Sequence, residues 1–186
     1  MKVLFLTKYY PPSKGGIERY GHLLCTELMR RGIYVEVVAV CEGDQAPGVE
    51  EIDGVKVHRL YPAFGISAAP VALGLPSLLR RESRRFDLLH FNFPNPWTDL
   101  LFLGLCRGCA AVLTYHGDIS RQGITPGALL LRAYRPVIRS LLDRMSGIIA
   151  TSPSCVENSP FLSQRSDRCR IVPMPVDLDT FRGVDE

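Results

Sequence analysis

The chain opens without a charged-then-apolar leader, Met1 and Lys2 running straight into Val3, Leu4, Phe5 and Leu6. No secretory signal is therefore expected, and the six cysteines, at positions 25, 41, 106, 109, 155 and 169, are expected as free thiols of a reducing cytosol. Cys106 and Cys109 form a lone CxxC with no second pair at a zinc-like spacing, so they read as two small buried residues near a helix end. Uninterrupted apolar spans are missing too: residues 60–79 carry no charge, but Pro62, Pro70 and Pro76, with Gly65 and Gly74, would break a membrane helix repeatedly. Nor is there an excess of one charge, since 22 basic against 19 acidic residues leave only +3, too little to imply nucleic acid. The P-loop, the nucleophile elbow around a serine, the G-x-G-x-x-G fingerprint and any His/Asp/Glu cluster at metal-ligand spacing are all lacking. These absences argue against NTPase, hydrolase, dinucleotide-dependent and metalloenzyme readings, and no cofactor or metal is expected.

What is present is an ordinary globular composition, 46% hydrophobic and 22% charged, in 186 residues, enough for one substantial α/β domain. Residues 2–7 form a short apolar run, as in a strand buried on both faces of a parallel sheet. A proline- and glycine-rich loop follows over 9–16. Ile17, Tyr20, Leu23, Leu24 and Leu28 then recur at helical spacing, and Gly32 after Arg30 and Arg31 is a stop signal. Residues 34–41 read as the next strand, completing a βαβ unit. Alternation over 50–60 around Asp53-Gly54 predicts a β-hairpin insertion. Beyond it the pattern predicts a helix over 70–84, a strand over 86–93, a helix over 98–106, a strand over 110–115, a helix over 126–145, and strands over 147–151 and 169–172. Strands alternating with helices mean a doubly wound, mostly parallel, Rossmann-like sheet.

In such a sheet, ligands bind outside the carboxyl ends of the strands. That rule selects the loop after Thr7, the tip from His90 to Asn95 with Asn92 in it, the turn from Tyr115 to Asp118, the pair Thr151-Ser152, and the segment after Val172. Gly15 and Gly16 open a helix, where missing side chains and free backbone N–H groups suit a phosphate or anionic sugar substituent. His116 directly follows a strand and can bond a sugar hydroxyl or transfer a proton near neutral pH, with Asp118 available to orient it or to accept from a hydroxyl. His90 sits inside an apolar strand and reads as a core histidine; His22 and His58 read as structural or surface residues.

With these residues on the page, the sequence resembles family 4 glycosyltransferases. The opening MKVLFLTKYYPPSKGGIERYGHLLCTELMRRGIYVEVV is similar to the family's strand, proline loop, Gly-Gly-[IV]-E and Arg-Gly helix end. FDLLHFNFPNP, LTYHGD, GIIATSPS and RIVPMPVDLDTF resemble its later signatures, in the family's order along essentially the whole chain. Asn92 stands where many relatives carry a second histidine, and Met174-Pro175 replaces the usual Asn-Gly. The resemblance implies the N-terminal half of a GT-B enzyme: an acceptor-side domain over 1–172, the start of an interdomain linker over 173–186, and an absent C-terminal domain that would bind most of the donor. It implies metal-independent, retaining transfer of a sugar, with mannose suggested, from a nucleotide diphosphate-sugar to a glycan or lipid-linked acceptor. His116 is then the catalytic candidate, and Gly15, Gly16, Asn92, Asn95, Asp118, Thr151 and Ser152 are substrate-binding candidates.

Arg80, Arg81, Arg84 and Arg85, and separately Arg132, Arg135 and Arg139 among leucines, form basic helix faces that suit an anionic membrane surface. The expected location is cytoplasmic, peripheral on the membrane's cytoplasmic face. The rival reading is a non-catalytic Rossmann-like module that binds a sugar or nucleotide.

Overall fold

The computed structural model describes residues 1–66, 69–119 and 126–175. In chain order the elements are β1 (Lys2–Leu6), α1 (Gly16–Arg30), β2 (Tyr34–Val40), β3 (Gly48–Ile52), β4 (Val55–Leu60), β5 (Phe64–Ile66), β6 (Ala69–Val71), α2 (Leu75–Glu82), β7 (Leu88–Phe93), α3 (Pro96–Leu105), β8 (Ala111–Tyr115), α4 (Pro126–Arg144), β9 (Gly147–Ala150), α5 (Pro153–Asn158) and β10 (Cys169–Ile171). Eight strands form one sheet in the order β10-β9-β8-β7-β1-β2-β4-β3, parallel throughout except for the β3–β4 pair. This is the doubly wound α/β fold expected from the alternation of patterns.

The chain leaves β1 toward β2 on one side and later returns to place β7 on the other. The strand order therefore reverses at β1, and a crevice opens above the ends of β1 and β7. Period-two alternation divides the core. Val3 and Phe5 of β1 face α1, packing with Tyr20, Cys25, Val35, Val37, Val55 and Val57. Leu4 and Leu6 face the opposite layer, with Phe91, Leu113, Phe102, Ile138 and Leu142. Each such side chain contributes about 1.5–3 kcal/mol by leaving water, and together they fix the register that aligns the strand ends.

The structure departs from the sequence reading at one helix and adds to it elsewhere. The helix expected over 70–84 begins only at Leu75, because Ala69–Val71 pairs with Phe64–Ile66 as a small antiparallel hairpin. Pro70 has no N–H for a helix interior but fits this two-stranded edge, and Pro76 starts the helix proper. The hairpin near 50–60 is present, turning at Asp53 (φ 49°) and Gly54 (φ 78°). However, β4 also pairs in parallel with β2, so the hairpin forms the edge of the main sheet. The sequence reading omitted α5 and the 3-10 turn over Ser163–Arg168. Residues 176–186 of the expected linker, Asp177 and Phe181 included, lie outside the described residues. Cys106 is buried and Cys109 half-buried, as the lone CxxC was read.

One buried cation shapes the loop above β1. Arg59 of β4 is 3% exposed. Its Nη1 donates to the carbonyl of Tyr10 at 3.1 Å, its Nη2 donates to that of Pro11, and its Nε donates to Glu50 at 2.6 Å. The guanidinium thus satisfies carbonyls of a proline-rich segment that has few donors of its own. Replacing Arg59 with methionine leaves those carbonyls unpaired, and urea denaturation should show a loss of about 2–4 kcal/mol.

Candidate functional site

The site is built from side chains on the α1 face of the sheet, where β7 and β8 end. The register pairs Asn92 with Thr114 and Phe93 with Tyr115. His116 continues it, its backbone N–H donating to the Phe93 carbonyl at 3.2 Å. The imidazole Nε2 lies 2.9 Å from Asn92 Oδ1, and Asn92 Nδ2 donates to the Leu6 carbonyl at 3.2 Å. Asn92 is 4% exposed, so its amide is spent on these two partners.

The glycine turn reaches the same place through Tyr20. Its ring meets the His116 imidazole edge-on, with centroids 5.0 Å apart and planes at 79°. Its hydroxyl is 2.9 Å from Thr114 Oγ1, which in turn lies 2.8 Å from His90 Nε2. Gly16 is one helical turn before Tyr20, about 6 Å along the axis. The first turn of α1 and His116 therefore share one rim. A Cβ on Gly16 would meet nothing within 4 Å, whereas one on Gly15 would lie 2.1 Å from Glu18 Oε2. The Glu18 carboxylate is thus folded back against the start of its own helix, the position where negative charge is most stable.

The remaining candidates separate by what they touch. Asp118 does not orient His116: its Oδ1 accepts from the Tyr115 hydroxyl at 2.5 Å and from Ser159 Oγ at 3.1 Å. Asn92 occupies the orienting role instead. Asn95 is buried at the N-terminal end of α3 and makes no side-chain cap. Ser152 Oγ accepts from the Cys155 N–H at 3.1 Å and so caps α5, with Thr151 half-buried beside it at the end of β9. Thr7, Tyr20 and Ser159 were missed by sequence reasoning. Thr7 Oγ1, at the end of β1, is buried without a hydrogen-bond partner. In the sequence Tyr20 reads as one more apolar position of the helix.

An apolar cavity of about 210 Å³ adjoins this rim on the opposite face, lined by Val71, Trp97, Leu100, Ile119, Leu130 and Tyr134. Trp97 Nε1 donates to the Ala72 carbonyl at 2.9 Å, which fixes one wall. Behind it the Tyr134 hydroxyl donates to the fully buried Asp99, whose carboxyl burial pushes up to about 7.

Burial also lowers His116 to about 4, and burial together with the nearby His116 lowers His90 to about 3. Both rings are neutral at pH 7, so proton transfer by His116 near neutrality is not supported. For each, the folded value lies below the unfolded one near 6.5. The stability they contribute is therefore present above pH 6.5 and lost as pH falls toward 4 and 3. His90→Gln keeps a polar group but cannot titrate. The stability of wild type relative to this variant should fall by roughly 2–3 kcal/mol between pH 7 and pH 4 in chemical denaturation.

Comparisons with known proteins bear on family and fold. A model described as Glycosyltransferase Family 4 matches residues 14–180. The chain is 29% identical over 174 residues to the O-antigen chain mannosyltransferase C of Escherichia coli, covering 93% of this chain and 45% of that protein. It is 29% identical over 182 residues to the D-rhamnosyltransferase WbpZ of Pseudomonas aeruginosa, covering 97% and 46%. The chain thus spans about half the length of the curated relatives it matches. Among solved structures, sucrose-phosphate synthase from Thermosynechococcus elongatus superposes with a TM-score of 0.62 at 16% identity, over 96% of this chain and 49% of that one. Anabaena Alr3699/HepE in complex with UDP gives 0.59 at 15% identity, over 97% and 46%. At these identities the likeness is one of fold.

Proposed function

Because this chain belongs to glycosyltransferase family 4, we propose that it forms the acceptor-side half of a two-domain GT-B enzyme. That enzyme moves a sugar, with mannose the favoured choice, from a nucleotide diphosphate-sugar to a glycan or lipid-linked acceptor. Residues 1–172 are the acceptor-side domain, 173–186 begin the linker, and a second domain holds most of the donor. The convergence of the Gly15-Gly16 turn and His116 on one rim, through Tyr20, carries this reading. The match to only about half of each curated relative supports the division into halves.

In this reading the leaving diphosphate approaches the first turn of α1, where backbone N–H groups and the helix dipole offset its growing charge without a metal. His116 bonds a hydroxyl of the transferred sugar or acceptor. Asn95, Asp118, Thr151 and Ser152 border the same cleft, and the transfer retains anomeric configuration. In the two-domain enzyme His116→Ala should lower kcat about 10- to 100-fold, whereas the 186 residues alone should give no turnover in a donor-consumption assay. Turnover by the isolated half would overturn the division of labour.

The apolar cavity supports an acceptor with a lipid part. Leu130, 49% exposed, lines it, its neighbour Leu129 is 70% exposed, and Arg132, Arg135 and Arg139 follow, exposed, along α4. Apolar tips with basic residues behind them suit the interface of an anionic bilayer. The second basic cluster is partly neutralised, since Arg81 and Arg85 both pair with Glu82 while Arg80 and Arg84 stay exposed. Among the described residues no helix is long and apolar enough to cross a membrane. Contact is therefore proposed as peripheral, on the cytoplasmic face. The protein should float with vesicles containing anionic lipid, and charge reversal at Arg132, Arg135 and Arg139 should abolish flotation; equal flotation of the reversed variant would remove α4 from this role.

A further inference from the structure

We infer that Asn92 is a positioning residue that locks the His116 imidazole in its Nε2–H tautomer, so that the ring offers the cleft a hydrogen-bond acceptor at Nδ1. That the cleft is where a sugar hydroxyl arrives rests on the function proposed above; the tautomer itself rests on the geometry alone.

Asn92 lies 3.2 Å from the carbonyl oxygen of Leu6, which can only accept, so the amide nitrogen must face it. The amide oxygen is then left facing His116 Nε2 at 2.9 Å. An amide oxygen also only accepts, and the proton must therefore sit on Nε2. Flipping the amide would set oxygen against oxygen at Leu6 and lose that bond, at a site too buried for water to replace it. Tyr20 holds the ring plane from the side, edge-on at 5.0 Å.

In a neutral ring with hydrogen on Nε2, Nδ1 carries the lone pair. Nδ1 has no hydrogen-bond partner among the described residues, and it is not among the buried unpartnered atoms. It is the group left for a ligand. The titratable side chains packed around the ring are Tyr20 of α1 and His90 of β7, the latter itself neutral at pH 7. Asp118, two residues on, is engaged by Tyr115 and Ser159. No described carboxylate contacts the ring to hold it protonated, consistent with its lowered titration.

The chemistry follows. Nδ1 accepts from a hydroxyl and repels a group that can only accept, such as an ether or fluoro substituent at the same position. A ligand whose contacting hydroxyl is methylated or replaced by fluorine should bind about 10- to 100-fold more weakly for this reason alone.

The test is the long-range ¹H–¹⁵N imidazole spectrum of the ¹⁵N-labelled 186-residue chain. His116 is assigned by its loss in His116→Gln among the four histidines. The inference expects the Nε2–H pattern, unchanged from pH 8 to pH 5. In Asn92→Ala the pattern should become mixed or shift to Nδ1–H. In Asn92→Asp the Nε2–H form should persist while the titration midpoint rises by at least one pH unit, because a carboxylate favours the imidazolium. An Nδ1–H pattern in the wild-type chain overturns the inference even if a variant fails to fold, as does an unchanged tautomer in a folded Asn92→Ala. Either result leaves the transferase reading standing. Conversely, absence of transfer by the two-domain enzyme would sink that reading without touching the tautomer.

Discussion

The hydroxyl of Tyr20 does more for this site than any residue proposed to touch a ligand. Its bond to Thr114 spans 94 positions of sequence and ties the first helix to β8, past the intervening β7. The same ring then buttresses His116. That tie sets how the start of α1 meets the imidazole at the end of β8. A buried hydrogen bond of this kind is worth only about 1 kcal/mol in stability, but its value lies in geometry. It converts two loops of a common fold into one rim.

Around this rim, burial decides which polar groups keep chemistry to offer. Asn92, Ser152 and Asp118 are largely occupied: one holds an imidazole, one caps a helix, and one fastens Tyr115 and Ser159. Further out, Glu36 shows the same economy. Burial alone would push its carboxyl up, yet donation from His58, Tyr34 and Lys56 more than offsets this and holds it low. Among the described residues, the groups left open here are the backbone at Gly16 and Nδ1 of His116.

Much of this was legible before any coordinates. Apolar runs broken by glycine and proline located the parallel strands, because a strand buried on both faces must be apolar throughout and must end where polar loops begin. Carboxyl-end logic then picked out Gly15, Gly16 and His116. What stayed hidden depends on partners distant in sequence. Tyr20 looked apolar because its hydroxyl is matched only by Thr114. Asp118 looked like the orienting group because it is close to His116 in sequence, whereas the actual partner lies 24 positions away on β7. The stretch around Pro70 was misread for a different reason: an uncharged run cannot by itself separate a hairpin from a helix, and the missing N–H of a single proline was the deciding signal.

The Glu18 side chain, folded against Gly15, carries a consequence for ligand entry. Two negative groups cannot share one helix end: at about 4 Å separation and an effective dielectric near 20 they repel by about 4 kcal/mol. Glu18 therefore already supplies an anion at this helix end, and the diphosphate of the donor proposed above would have to displace it. Such a displacement would turn a side chain only two residues before the tyrosine that braces the imidazole.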